Sequence, residues 1–421
     1  ALLGLTVYKA TLPAALFVFK LAKEKDPTIK TVMGGGIFAD TMAVGSPNLE
    51  FFLEKTQTYI DKIIIGKGED FLLKTLRNQL PQKQRLFHHR EIANPAGNTT
   101  ANHAAYIPDL SDFDLNHYPY LGATGSTGCP FQCSFCNSSV FYGPYWKKNI
   151  KQTAAAMRAL HKKYRYQLFF MTDALLNPII TDLAGELPGH GVPLYFDGYF
   201  AVDDNSADME NTLLWRRGGF YRARLGVESG SQRILDLMGK KITIEKTKAA
   251  LTGLAYAGIK TTTYWVIGHP GETEEDFQLT LKLLEEMRHE IWQAECIPFA
   301  YFFNGQAHSD KWADKRKRLF PASARDMLVT ETWILDVEPS RQEIYNRVSR
   351  FVEHCRKLSI PNPYSLGEIY KADERWQKRH KNAVPPLIEL MNKEKSVQDT
   401  LQVKKLYFVK NKQHYQENFY F

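Results

Sequence analysis

From residue 121 onward the chain repeats one pattern, a short apolar run followed by an amphipathic stretch. Candidate strands fall at 121–127, 167–172, 192–197, 221–227, 260–267 and 296–302, with helical spacing at 150–164, 177–187, 207–216, 243–257 and 273–289. Apolar runs of four to eight residues alternating with helices predict a parallel sheet covered by helices. Six such units predict a complete or partial (β/α)6 barrel. A barrel of this kind carries its chemistry at the C-terminal ends of its strands.

The same alternation opens the chain. Residues 2–8 and the runs Ile29–Met33 and Ile63–Ile65 read as strands, and residues 12–23 carry apolar side chains at helical spacing. Glycines close the second and third strands, as Gly34-Gly35-Gly36 and Gly66-Lys67-Gly68. In residues 81–120 the periodicity fades and Gln, Asn, His and Pro become frequent, which predicts a surface connector. Residues 325–421 read as mainly helical, punctuated by Pro361, Pro363, Pro385 and Pro386. The expected division is therefore 1–80, a connector 81–120, a barrel 121–324 and a helical C-terminal region 325–421. The opening residues read as the middle of a strand, as if an upstream piece preceded them.

Composition narrows the function classes. No run of about 18 apolar residues occurs, so no membrane span is predicted. The start carries no charged region before its apolar residues, and no signal peptide is expected. The net charge of +8 is spread over 421 residues. It fits an anionic substrate or a solvated surface. Three of the five cysteines fall within eight residues, which suits a metal in a reducing cytoplasm better than a disulfide framework.

Those three are Cys129, Cys133 and Cys136, at Cys-x3-Cys-x2-Cys spacing just after the first barrel strand. Three thiolates on one tight loop can ligate three irons of a [4Fe–4S] cube and leave the fourth iron open. A structural zinc site wants four ligands, often as paired Cys-x2-Cys units. No fourth Cys lies nearby, and the nearest downstream histidine is His161. Phe131 and Phe135 are placed to shield a cluster from water.

This loop at the end of the first strand of a six-unit barrel resembles the radical S-adenosylmethionine (SAM) superfamily, whose aromatic residue before the last cysteine matches Phe135. The resemblance implies SAM contacts at other strand ends. Thr172 and Asp173 stand where the family places polar groups near the SAM amino group; a helix cap is the other reading. Glu228 would accept hydrogen bonds from the ribose hydroxyls, assisted by Ser229, unless it serves as a cap before Ser231. In the run Trp265 to Thr273, Ile267 would pack on adenine and Gly268 would let backbone approach the ligand. His269 reads as structural.

The front segment resembles the cobalamin-binding domain that precedes many radical SAM barrels. The match rests on Thr6 within Gly4–Tyr8, on Gly34, Gly35 and Gly36, and on Gly66 to Glu69. The implied fold is α/β: a truncated Rossmann-like cobalamin domain, a radical SAM barrel and a helical C-terminal region. One feature departs from many cobalamin proteins. The first histidine is His88, in the connector, so either cobalt is bound without a histidine or a segment in front of residue 1 carries other contacts.

The resemblance to this cobalamin-binding, class B methyltransferase-like branch implies a [4Fe–4S] cluster, SAM and cobalamin as cofactors. SAM would be cleaved to a 5′-deoxyadenosyl radical, and an unactivated carbon or phosphorus of a small-molecule or carrier-bound substrate would be methylated. An electron donor such as flavodoxin or ferredoxin is implied. Alternatives are a radical rearrangement or cyclisation without methyl transfer, a tRNA methylthiotransferase, and a zinc-stabilised binding module. The methylthiotransferase fits poorly, because residues 1–120 hold no cysteine. Cys296 and Cys355 read as buried thiols, and Trp333 and Trp376 as core aromatics. The turn at 361–365 would cap the barrel. The tail from 391, with Lys404, Lys405, Lys410 and Lys412 among aromatics, reads as a solvated end and not as a nucleic-acid site.

Overall fold

The computed structural model describes residues 1–39, 42–92, 107–189, 191–303, 306, 309–318, 333–361 and 366–380. The expectations for the turn at 362–365, for Pro385 and Pro386 and for the tail from 391 lie outside the described residues. Two compact units are present. One is built on residues 1–92 with 133–141 and the described parts of 300–337. The other is built on 107–132, 142–299 and 338–380.

The first unit holds a four-stranded parallel sheet in chain order: β1 (Leu2–Thr6), β2 (Lys30–Gly34), β3 (Lys62–Ile65) and β4 (Leu86–His88). The helices α1 (Leu12–Lys25), α2 (Pro47–Lys55) and α3 (Glu69–Leu76) connect them. Strand β4 falls in the stretch read from sequence as connector. At three residues it is too short to show a period. The core is Val7, Leu12, Phe19, Met33, Phe52, Ile60 and Ile63, all fully or almost fully buried. An antiparallel pair, Arg316–Arg318 with Trp333–Leu335, spans the expected boundary at 324. Trp333 therefore sits in a strand against Phe303, 5.1 Å between ring centroids, and not on a helix.

The second unit holds a six-stranded sheet, again parallel throughout and in chain order. Its strands are β5 (Leu121–Ala123), β6 (Leu168–Met171), β7 (Tyr195–Ala201), β8 (Phe220–Glu228), β9 (Lys260–Ile267) and β10 (Gln293–Pro298). The crossovers are α4 (Ile150–Tyr164), α5 (Ile180–Glu186), α6 (Met209–Arg217), α7 (Gln232–Leu237), α8 (Ile244–Tyr256) and α9 (Glu274–Glu286). The local signals for α4 are typical. Asn149 caps it by accepting from the Gln152 amide, Ile150, Ala154, Met157 and Leu160 make its buried face, and Arg165 at φ 64° ends it. Among the described residues no helix is long and apolar enough to cross a membrane.

Two faces of this sheet differ in chemistry. On β8, Ala223, Leu225 and Val227 are fully buried in the core between sheet and helices. The alternate positions carry Arg222, Arg224, Gly226 and Glu228, which period-two alternation turns to the inner wall. The C-terminal helices α10 (Arg341–Lys357) and α11 (Leu366–Arg379) complete the unit. Phe351 of α10 packs its ring 5.8 Å from that of Trp265. From α11, Trp376 is 1% exposed and donates from Nε1 to the Gly258 carbonyl at 3.2 Å, as a core aromatic. Asp373 accepts from Lys260 at 2.7 Å and from Trp292 at 3.0 Å, and the Asp373–Lys260 pair is buried. Cys296 and Cys355 lie in the same core, and burial pushes the Cys296 thiol up to about 12.

The triple glycine after β2 is explained inside the first unit. Gly35 has φ 112°, and a Cβ there would lie 2.4 Å from the Val7 nitrogen and 2.5 Å from its carbonyl oxygen. The backbone around it is pinned by Val7 donating to Gly34 and Ile37 donating to Val7. Gly35→Ala should therefore destabilise the front sheet by more than the roughly 1–3 kcal/mol of a strained backbone position alone. Chemical denaturation followed by tryptophan-independent far-ultraviolet dichroism checks this. An unchanged midpoint would mean that the turn relaxes.

Candidate active site

Because all six strands of the second unit run parallel, their C-terminal ends open on one side of the sheet. The residues just beyond β5 are Thr124, Gly125 and Ser126, leading to Cys129. Their position is set by the next strand. Asp173, at the end of β6, is 1% exposed. It accepts from the Gly125 amide at 3.0 and 3.1 Å and from the Ser126 hydroxyl at 2.6 Å. Burial raises its pKa, and the Ser126 and Gly125 donors pull the other way. Gly128, at φ 74°, packs so closely on residues 143 and 144 that a Cβ would lie 2.6 Å from both of their carbonyl oxygens. The entry to the cysteine loop is thus held at Gly125–Ser126 and again at Gly128.

Within the loop, Cys133 is buried, and Cys129 and Cys136 are half-buried. None of the chain's five cysteines forms a disulfide. The Cys136 amide donates to the Cys133 carbonyl at 3.1 Å, and the Ser138 amide lies 3.4 Å from the Cys136 sulfur. Among the described residues no three His, Cys, Asp or Glu side chains are drawn together as a metal site. Three thiols fit an iron–sulfur cluster by donor chemistry, with a turn and an amide near sulfur that such clusters use. His161 is engaged elsewhere, its Nδ1 2.8 Å from the Tyr166 carbonyl. Phe131 is 40% exposed.

The other strand ends each present one expected residue. Thr172 is exposed, and its hydroxyl lies 2.6 Å from that of Thr124. Neither Thr172 nor Asp173 caps a helix; Ile179 holds the N-cap position of α5. Asp173 spends its carboxylate on the cysteine-loop backbone, which makes it a loop clamp. Glu228 is not a cap either, because Ser231 fills that role by accepting from the Ile234 amide. Glu228 instead occupies a bulge with φ 70°, rare for a residue with a side chain. Its carboxylate folds back over Gly226, where a Cβ would meet Oε1 at 2.4 Å, and Oε1 accepts from Lys240 at 2.8 Å. Ser229 is buried and accepts from the Ser231 amide at 3.1 Å. Ile267 is 1% exposed in the core between sheet and helices, so its side chain faces away from the inner wall. Gly268 is at φ 81°, and a Cβ there would strike Ile344 of α10 at 2.3 Å. His269 is buried edge-on against Phe299, in keeping with a structural role.

Sequence reading did not single out the pair that holds the Gly268 turn. Glu272 Oε1 accepts from the Gly268 amide at 3.1 Å and from Arg347 of α10 at 2.9 Å, and both charged side chains are 2% exposed. Burial pushes the Glu272 carboxyl up, to about 7, against the pull of Arg347. The partners are 75 residues apart, beyond any local signal. Lys240 was missed for a related reason: it lies in a loop and gains meaning only beside Glu228. Asp197, Arg222 and Arg224 did leave a signal, charges at alternate positions of apolar strands.

Residues 124–284 match the family model of the radical SAM superfamily. This chain carries a radical SAM domain. The family implies a [4Fe–4S] cluster and SAM. The anaerobic magnesium-protoporphyrin IX monomethyl ester cyclase of Rubrivivax gelatinosus is 25% identical in an alignment 309 positions long that covers 68% of this chain and 54% of that protein. The radical SAM methyltransferase TsrM of Kitasatospora setae, solved with tryptophan and a SAM analogue, aligns over 97% of this chain and 89% of its own at TM-score 0.65 and 13% identity. The cobalamin-dependent radical SAM enzyme OxsB, solved with aqua-cobalamin, aligns over 99% of this chain and 68% of its own at TM-score 0.59 and 14% identity. Likeness at these identities shows a shared fold. The chain spans about half the length of the cyclase it matches.

The buried pair behind the Gly268 turn of this radical SAM domain is open to test. Arg347→Met leaves Glu272 buried without its cation and should cost about 3–5 kcal/mol at pH 8, where the carboxyl of the parent protein is ionised. The cost should shrink as pH falls through about 7, and at pH 5 the carboxyl is protonated in either variant. Urea denaturation at the two pH values measures both. A loss under about 1 kcal/mol at pH 8 would show that Glu272 is buried neutral.

Proposed function

We propose that this radical SAM enzyme methylates an unactivated carbon or phosphorus of a small-molecule or carrier-bound substrate, with cobalamin bound beside the front sheet. The observation that carries the radical SAM part is the three-cysteine loop, held by Asp173 at the end of the first strand of a parallel six-stranded sheet. Cys129, Cys133 and Cys136 would hold three irons and leave one for SAM. Thr172 would meet the SAM amino group. Glu228 would offer Oε2 to the ribose hydroxyls while Lys240 steadies Oε1. The Gly268 turn, fixed by Glu272 and Arg347, would stand at the adenine side, its missing side chain being required by packing on Ile344. When bound, the cluster supplies an electron to SAM, and cobalamin supplies a methyl group. The protein's part is to bind, orient and exclude water.

For cobalamin the support is the parallel front sheet, whose strand ends Thr6, Gly34, Ile65 and His88 open on one side. The fold shared with TsrM and OxsB adds to it. Gly34, Gly35 and Gly36 themselves are required by packing on Ile64, Val7 and Tyr8, so they carry no independent argument for a ligand. A second reading, radical cyclisation without methyl transfer, draws on the likeness to the cyclase.

Two outcomes are expected. Cys133→Ala should lose cluster iron and SAM cleavage together, seen as iron per chain and 5′-deoxyadenosine formed after anaerobic reconstitution. Full iron loading with undiminished cleavage would refute the cluster assignment. Gly68→Val should reduce retention of hydroxocobalamin, read as corrin absorbance after desalting, without unfolding the sheet. Gly68 has φ −103°, and the nearest atom to a Cβ there is 3.8 Å away, so the fold tolerates the side chain. If the wild type retains no corrin, the methyl-transfer reading falls and the cyclisation reading replaces it.

A further inference from the structure

The inner wall of the six-stranded sheet carries charge and aromatic surface that no cofactor contact uses. Asp197 of β7 is fully buried, and its Oδ2 accepts from Arg222 Nε at 2.8 Å and from Arg224 Nε at 2.9 Å, both on β8. Its Oδ1 is buried with no hydrogen-bond partner. Two guanidinium groups thus share one oxygen of one carboxylate. Glu295 of β10 lies in the field of both arginines and takes a hydrogen bond from the Tyr264 hydroxyl, but burial raises its pKa toward the neutral form. Such a cluster is costly as mere support, since desolvated charges repay their burial only when fully satisfied.

Above the arginines runs a strip of rings. Tyr120, Phe170 and Tyr199 follow one another at centroid separations of 5.6 and 6.0 Å, and Tyr264 lies a further 6.0 Å beyond Tyr199. They come from neighbouring elements of one wall. Tyr199 is 43% exposed and Tyr120 36%. In a small barrel the inner positions are normally packed full. Exposed rings on an inner wall instead mark a concave apolar surface with a few polar groups, which is how ligand sites are built. The Arg224 guanidinium stacks 4.7 Å from the Phe170 centroid and reaches the Tyr264 hydroxyl only at 3.5 Å. Burial pushes that hydroxyl up to about 12, so it stays a donor.

We propose that this wall is the substrate subsite and that it takes a planar, conjugated acid: the acid group on Arg224, the plane along Tyr199 and Phe170. Arginine offers a carboxylate or phosphate a forked pair of donors, and a ring strip favours flat ligands. The proposal rests on the radical SAM reading for one point, that the reacting atom lies near the strand ends. From Glu228 at the strand end back to Arg224 is four residues of strand, about 13 Å at the usual rise. The acid would therefore lie roughly that far from the reacting atom.

The test uses the full chain after anaerobic cluster reconstitution and two probes, 1-naphthoate and its uncharged analogue 1-naphthamide, in equilibrium dialysis. The wild type should bind the acid at least tenfold more tightly than the amide. Arg224→Gln should abolish that preference while changing amide binding less than twofold. Tyr199→Ala, at an exposed ring, should weaken both probes alike. Equal binding of the two probes by the wild type, no binding of either, or a preference that survives Arg224→Gln would each overturn the proposal. The wild-type comparison needs no variant, so a folding defect in Arg224→Gln leaves the test intact. Uncoupled conversion of SAM to 5′-deoxyadenosine by the wild type, measured alongside, reports on the radical SAM reading separately. Its absence would sink that reading and leave the acid preference standing.

Discussion

Parallel pairing in chain order is the constraint on which the rest of the second unit depends. Each strand of the six is joined to the next by a helix on the outer face, so every strand end emerges on the same side. Groups far apart in sequence are then brought to one rim without any long-range signal in the chain. Asp173 and Ser126 are 47 residues apart, yet they meet at 2.6 Å because β5 and β6 are neighbours. The same pairing delivers Glu228 and Gly268 to adjacent strand ends. A single antiparallel strand would have turned one of these groups to the other side of the sheet.

The second recurring device is the buried ion pair. Lys260–Asp373 ties α11 to the start of β9, and Glu272–Arg347 ties α10 to the loop that ends β9. Both brace one strand from the C-terminal helices, one at each end. Buried pairs are a poor source of stability compared with apolar contacts, but breaking one leaves an uncompensated charge. They therefore make the placement of β9 specific. Glu228–Lys240 is the third such pair, and it holds a residue in a left-handed conformation that a strand would not otherwise keep.

Glycine shows how a correct motif can rest on an incomplete reason. Gly34-Gly35-Gly36 marks a strand end, and β2 does end there. The reason visible in the structure is close backbone packing on Val7 and ring packing on Tyr8, and ligand approach is not needed to explain it. Gly68 is different, since little stands near it. Only the surroundings separate the two cases, because glycine relieves crowding by protein and by ligand in the same way.

Most of the fold was legible from local pattern. The six barrel strands and their intervening helices follow from apolar period and capping residues such as Asn149, Thr243 and Thr273, which act over a few residues. The cysteine spacing was legible for the same reason, since chain connectivity alone keeps Cys129, Cys133 and Cys136 together. What the sequence determined by itself was therefore everything set by neighbours in the chain: element order, parallel topology and a three-thiol loop at a strand end. The tertiary structure decided the roles of single polar residues. It turned Asp173 into a clamp on the loop, set Lys240 beside Glu228, faced Ile267 to the outer core and gathered Asp197, Arg222 and Arg224 on the inner wall. Those roles depend on strand register and on which face a side chain takes, and a period-two alternation names the two faces without saying which will be dry and which will meet a ligand.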